Sequence, residues 1–308
     1  MNIILLKNHL NNHKKKLIDF CNNQNKYINY EIENNIRLFD VNINGINFQM
    51  YSTKKIIGLS KRLFKYKVFE KVESLNILGA LKYYGNIKKI KNNGDIIMID
   101  IGGNVGWYPS FLGRYNYTII SFEPFQQNFY ISCKNYCHLN KNSNVILINR
   151  GLDIDEKICS YYKDKNSLLN GMTLCEDNNN SKNISVNNFI KKGSVYLTKL
   201  SNYIPFLPNK NVALIKIDVE GAEEIAIKGG VELITRYHVP FIFIEFTPRY
   251  LLKHNSSPRN FLQFFVDNDY VISLRGFLNK NFISIDDLIL KTKFQINIYL
   301  IYKKIIDF

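Results

Sequence analysis

With 308 residues and 46% hydrophobic content, the chain is large enough to bury a substantial core and is not a disordered tail. Its 41 basic and 26 acidic residues give a net charge of +15. Taken alone, that balance suits a polyanion. The basic residues are dispersed apart from Lys14, Lys15, Lys16 and Lys88, Lys89, Lys91, with no arginine-rich block, and the abundance of Asn, Lys, Ile, Tyr and Phe fits AT-rich codons, so a nucleic-acid partner is not favoured.

The opening MNIILLKNHLNNHKKK has too short an apolar stretch for a signal peptide, and no later segment reaches the ~18 apolar residues of a membrane span. A soluble, cytoplasmic protein without a membrane span is expected. Residues 1 to about 36 are polar, with a helix read over His9 to Cys21. IRLFDVNINGINFQMYS then alternates apolar and polar residues on both sides of Asn44-Gly45, which reads as a β-hairpin over 37–52 because Asn-Gly supplies the positive φ angles of a type I′ turn. A helical stretch over Leu63 to Tyr84 follows.

From Asp95 onward apolar strands alternate with amphipathic stretches, the pattern of βαβ units in a doubly wound, mostly parallel α/β sheet. Seven strands are placed: Ile96–Ile101, Tyr117–Glu123, Val145–Asn149, Val212–Asp218, Phe241–Phe246, Tyr270–Leu274 and Ile296–Tyr302. Between the third and fourth lies an insert of about 155–211 with SYYKDK, the polar CEDNNNSKN and the strand-like SVYLTKL. An excursion that long reads as a binding or capping element, and its Asn-rich 177–183 stretch as an exposed loop tip. The five cysteines (Cys21, Cys133, Cys137, Cys159, Cys175) are an odd set without CxxC spacing, so free thiols are expected. Cys133 and Cys137, four apart on one helix face, fit packing better than metal ligation.

The first chemical signal is IIMIDIGGNVGWYPSFL. A buried strand ends at Asp100 and runs at once into Gly102, Gly103, Asn104 and Gly106 before a helix, a turn that lets a ligand lie against bare backbone. This is not the GxGxxG of dinucleotide binders, and an acid at the strand end repels a pyrophosphate. It suits a ligand with a cationic amino group and hydroxyls, as S-adenosylmethionine has. TIISFEPF then places Glu123 at the end of the second strand, near the ~20-residue interval at which an acid meets ribose hydroxyls. Asp153, in INRGLDIDE after the third strand, is a candidate for the adenine amino group, with a plain loop aspartate as the alternative.

LIKIDVEGAEEIAIKGG closely resembles the signature of the FkbM family of S-adenosylmethionine-dependent methyltransferases. The resemblance extends over most of 95–302: DIGGNVGWY, SFEPF, a degenerate NGMTL and VPFIFIEF all resemble family segments. Gly103 stands where the family usually has alanine, and Ser201 where it tends to have aspartate. The resemblance implies a class I methyltransferase (Rossmann-like) fold with a seven-stranded sheet, so that 1–85 forms an N-terminal hairpin and helical extension and 86–308 the methyltransferase domain. It also implies methyl transfer to a hydroxyl oxygen of a sugar, glycan or other small molecule.

Such a transfer needs a group to take the hydroxyl proton. Asp218, ending the fourth strand, is the candidate base; Glu220 either hydrogen-bonds the acceptor or caps the next helix, Glu245 orients acceptor hydroxyls, and Glu223 is equally well read as an acid opening that helix. Strand-end acids without a clear third ligand do not call for a metal. The alternatives are an RNA or protein methyltransferase and a catalytically inactive methyltransferase-like interaction protein. Retention of Asp100, Gly102, Glu123 and Asp218 speaks against the last, and the absence of an N/D-P-P-Y pattern favours oxygen over base amino groups.

Overall fold

The computed structural model describes residues 3–55, 58–139, 143–165, 171–175, 189–207, 211–292 and 294–306. The chain begins with α1 (Ile3–Asn22), α2 (Tyr30–Glu33) and a hairpin of β1 (Ile36–Ile43) and β2 (Ile46–Thr53). Asn44 and Gly45 take φ of 51° and 80°, the two positive angles the turn requires, and the strands pair antiparallel from Ile36↔Thr53 to Ile43↔Ile46. The helical stretch expected as one piece is two, α3 (Gly58–Tyr66) and α4 (Lys71–Ile87). Between them Lys67 (φ 55°) and Glu70 (φ 41°) adopt left-handed backbone, through which a right-handed helix cannot run.

The main α/β unit follows as β3 (Ile97–Ile101), α5 (Trp107–Leu112), β4 (Thr118–Phe122), α6 (Gln126–Tyr136) and β5 (Val145–Ile148). Next come β6 (Gly151–Leu152), β7 (Lys157–Asp164), β8 (Gly171–Leu174) and β9 (Phe189–Thr198). The chain returns through β10 (Val212–Ile217), α7 (Glu223–Lys228), α8 (Glu232–Thr235), β11 (Phe241–Phe246), α9 (Pro248–Lys253) and α10 (Pro258–Asp267). It closes with β12 (Tyr270–Ser273), β13 (Phe282–Ile283), α11 (Ile285–Lys291) and β14 (Ile296–Tyr302).

The central sheet runs β13-β12-β14-β11-β10-β3-β4-β5. Pairs β5/β4, β4/β3, β3/β10 and β10/β11 are parallel, and β14 is antiparallel to both neighbours, so the sheet is mostly parallel. It holds eight strands rather than seven, because the two-residue β13 adds an edge to β12. Val212–Ile217, all buried, is continuous apolar sequence except for Lys216, as a strand covered on both faces must be. Alternate residues feed two cores. Met98, Leu214, Phe241 and Phe243 face α4, α5, α6 and the hairpin, whereas Ile97, Ile99, Ile215 and Ile242 face Leu251, Phe261 and Leu288. From β3 the chain moves outward through β4 and β5, then returns to build β10 and β11 on the other side. The strand order therefore reverses between β3 and β10, the place where such sheets open a crevice at their carboxyl ends.

The insert forms its own four-stranded sheet, β6-β9-β7-β8; the Asn-rich 177–183 stretch lies outside the described residues. Two disulfides overturn the expectation of free thiols. Cys21 on α1 is bonded to Cys137 just past α6, and Cys159 on β7 to Cys175 just past β8, leaving Cys133 free and buried. Sequence spacing gives no hint of a pair 116 residues apart; the topology brings their Cα atoms to 5.3 Å. Among the described residues no helix is long and apolar enough to cross a membrane.

Candidate active site

The crevice at the switch point holds a polar row that interrupts the apolar face. Strand register sets Ser121, Asp100 and Lys216 side by side on β4, β3 and β10, and the two-residue period puts all three on the face covered by α4 and α5. Ser121 Oγ donates to Asp100 Oδ2 at 2.8 Å. The Lys216 ammonium donates to the Gly102 carbonyl at 2.7 Å and lies 3.4 Å from Asp100 Oδ1 and 3.5 Å from Asp218 Oδ2. Asp100 is 0% exposed and Lys216 3%, so neither charge leans on water. Burial works against the ammonium, yet the carboxylates of Asp218, Asp100, Glu70 and Glu245 outweigh it and hold Lys216 charged well above its usual range. Tyr108 lies with its ring 5.7 Å from the same ammonium.

Asp100 and Asp218 meet at Lys216. Gly102 has φ 83°, and a Cβ there would collide with the Asp218 carbonyl oxygen, so the turn after β3 and the end of β10 touch through bare backbone. Gly103 packs against the Ser121 hydroxyl, Asn104 is exposed with φ 48°, and Gly106 stands at the N-cap of α5. The buried Glu123 clamps this turn: Oε2 accepts from the Asn104 N–H at 2.8 Å and Oε1 from the Phe125 N–H at 2.9 Å. Burial raises its carboxyl to about 7 although both amides and Lys216 pull it down. Asp153 lies apart from this row, beside β7. It is 7% exposed, its Oδ2 sits 3.1 Å from Lys157 Nζ and its Oδ1 accepts from the Asp155 N–H at 3.3 Å.

Past β10, Glu220 is exposed with φ 52°. The buried Glu223 carboxylate accepts from the Gly221 and Val219 N–H groups at 3.0 and 3.4 Å, so it shapes the turn that carries Asp218 and Glu220, while its Oε2 has no partner among the described residues. Glu245, one residue before the end of β11, faces the same side as Lys216. Burial, Asp218 and Glu70 lift it to about 8 against the pull of Lys216. Among the described residues no group of three or more His, Cys, Asp or Glu converges to hold a metal ion.

Sequence reasoning passed over Lys216, although a lone lysine in a fully buried strand demands an anionic partner, and that signal was available. It also passed over Glu70, Tyr108 and Tyr161, which reach the crevice from other segments. Tyr161 of β7 stacks on Phe125 at 4.4 Å, and its hydroxyl, raised to about 12 chiefly by burial, also feels Glu123. The insert therefore borders the Glu123 end of the crevice.

The buried Asp100 Oδ1 has no hydrogen-bond partner among the described residues, and Asn104 of the adjoining glycine turn is exposed. An acid row with one resident cation fits a ligand that brings positive charge and hydroxyls. Comparison with protein families gives a match to the Methyltransferase FkbM domain over residues 100–272, more than half of the chain. No curated protein sequence matches. Among solved structures, the chain resembles monomeric WbdD at 12% identity and TM-score 0.43, covering 81% of this chain and 45% of that one. It also resembles the 16S rRNA methyltransferase RsmC of T. thermophilus with AdoMet and guanosine (11%, TM-score 0.38, covering 87% and 50%). A third likeness is to magnesium protoporphyrin IX methyltransferase of Synechocystis PCC 6803 with bound SAH (9%, TM-score 0.39, covering 81% and 89%). The chain thus spans under half the length of WbdD, and similarity this distant says nothing about an acceptor.

Proposed function

Because the chain belongs to the FkbM family of S-adenosylmethionine-dependent methyltransferases, we propose that it methylates a hydroxyl oxygen of a sugar, glycan or other small molecule. One observation carries this reading: the carboxyl groups of Asp218 and Glu245 face one crevice around the buried Lys216 ammonium, with Glu220 on the turn beside them. Such a surface offers hydrogen-bond partners to neutral hydroxyls, which suits an uncharged acceptor even though the chain as a whole is basic.

Asp100 and the Gly102–Gly106 turn would hold the cofactor's methionine end, Glu123 its ribose, and the Asp153 segment its adenine. S-adenosylmethionine, when bound, supplies the electrophilic methyl group. Lys216 engages Asp218 through Oδ2, which leaves Oδ1 to take the acceptor hydroxyl proton. Glu245 and Glu220 accept hydrogen bonds from neighbouring hydroxyls and fix the direction of approach, which matters because in-line displacement draws several kcal/mol, up to about 7–11, from positioning.

The test is calorimetric titration with S-adenosylmethionine and S-adenosylhomocysteine, followed by turnover on glycosides. Asp100→Ala and Glu123→Ala are expected to lose cofactor binding, and Asp218→Asn to bind it and lose turnover. A wild-type chain that binds neither ligand sinks the proposal, and full turnover by Asp218→Asn removes Asp218 as the base.

A further inference from the structure

Glu70 stands at the N-cap of α4 yet makes no capping bond with its side chain. A short polar side chain there ordinarily folds back onto the helix's free N–H groups, a role glutamate does not share. Here the backbone is left-handed (φ 41°, ψ 49°), a conformation an unbranched acid adopts only at a cost, and the side chain turns into the crevice instead. Its Oε2 accepts from the Tyr108 hydroxyl at 2.7 Å, and its Oε1 has no hydrogen-bond partner among the described residues. Lys216, Asp218, Glu73 and Glu245 all face it. Burial, opposed by Lys216 and helped by Asp218, raises it to about 7.

The loop that carries Glu70 is pinned on three sides. The Lys67 carbonyl accepts from the Asn42 N–H of β1 at 2.8 Å. Phe69 packs edge-on against Trp107 at 5.8 Å, and the Trp107 indole N–H donates to Ser74 at 2.9 Å. The hairpin, α3 and the loop thereby lean on α5, the helix that follows the glycine turn. Glu70 lies outside the stretch that matches the family, so nothing in that match assigns it.

Resting on the methyl-transfer reading, we propose that Glu70 is an acceptor-binding residue supplied by the segment ahead of the family domain, its free Oε1 accepting a hydrogen bond from a donor group of the acceptor. The hairpin and its loop then act as the specificity element. The donor is a hydroxyl of a neutral sugar or the ammonium of an amino sugar; a phosphate at this position would meet Asp218 as well as Glu70, with Lys216 already held between Asp100 and Asp218.

The experiment uses the full chain, radiolabelled S-adenosylmethionine and three acceptor pools: methyl glycosides, amino sugars and hexose phosphates. Incorporation is expected from the first or second pool. Glu70→Ala is expected to raise the KM for the accepted sugar at least about tenfold, the range for a hydrogen bond to a charged group. Cofactor affinity should stay within about twofold, a split that a merely structural defect does not produce. Glu70→Gln, which keeps an acceptor oxygen without the charge, separates the two donors: a mild rise in KM identifies a hydroxyl, a rise equal to that of alanine an ammonium. If Glu70→Ala does not fold, Tyr108→Phe, which frees the carboxylate from its tether, is expected to raise KM in the same direction. Unchanged KM in these variants, incorporation confined to hexose phosphates, or none from any pool by a chain that binds S-adenosylmethionine overturns the proposal. A chain that fails to bind S-adenosylmethionine instead overturns the methyl-transfer reading beneath it.

Discussion

Replacing Lys216 with methionine keeps most of the side chain's apolar length while deleting the ammonium that faces Asp100, Asp218, Glu70 and Glu245. Asp100 then sits fully buried with its charge uncompensated, and the Gly102 carbonyl loses a charged donor at 2.7 Å. Removing one partner of a buried ion pair costs about 3–5 kcal/mol, whereas an exposed pair is worth about 0–1. The expected loss in urea unfolding at pH 7.5 is therefore about 3–5 kcal/mol, read from Trp107 fluorescence. The deletion also lifts Glu70 and Glu245 further, since Lys216 is what pulls both down. A raised carboxyl binds its proton in the folded state first, so the variant recovers stability as pH falls from 7.5 to 5, by at most about 1.4 kcal/mol per group per pH unit. Adding Asp100→Asn should return much of the loss, because deleting both partners costs less than deleting one. A loss under about 1 kcal/mol at both pH values would refute the buried-cation account.

Other outcomes follow from the same structure. Gly102→Ala forces a Cβ into the Asp218 carbonyl and a left-handed φ that alone costs about 1–3 kcal/mol, so S-adenosylmethionine affinity should fall more than about tenfold; calorimetric affinity within about twofold of wild type would contradict the close approach. In the unmodified chain Glu70, Glu123 and Glu223 are raised to about 7 and Glu245 to about 8 from an ordinary 4.5, all chiefly by burial. Their contribution to stability is thus complete below pH 4.5 and lost as pH rises toward 8, and a urea midpoint that climbs over that window would show them to be ionised in the folded state. In denaturant without reductant one thiol of five should react with a thiol reagent, and five after reduction. Five before reduction would exclude both disulfides. By loop closure the bond spanning 116 residues contributes about 5 kcal/mol, seen as a lower urea midpoint for Cys21→Ser.

The strands were legible because buried parallel strands are near-continuous apolar runs, and Ile97–Ile101, Val212–Ile217 and Phe241–Phe246 are each apolar but for one charged residue. The hairpin was legible because Asn44-Gly45 is a local solution to a local twist. The break at Lys67 and Glu70 was not, since neither residue type announces a left-handed backbone; tertiary contacts to Asn42, Trp107 and Tyr108 impose it. The placement of Asp100, Glu123 and Asp218 at or near strand ends was readable from where each apolar run gives out, but the partner of Asp100 was not, because Lys216 meets it only through strand register 116 residues away. Glu70 is brought to the crevice by its loop's contacts with Asn42, Trp107 and Tyr108, all far from it in sequence.

Of the two margins of the central sheet, β13 is only two residues long, whereas β5 would present a row of unpaired backbone groups. The first helix packs along β5, and the Cys21–Cys137 bond rivets that helix to the end of α6. This covering guards against strand-to-strand association between copies of the chain, the hazard of any open, apolar β edge. Stripping away α1 is thus a colloidal matter as much as a thermodynamic one: a chain without it should precipitate before it unfolds.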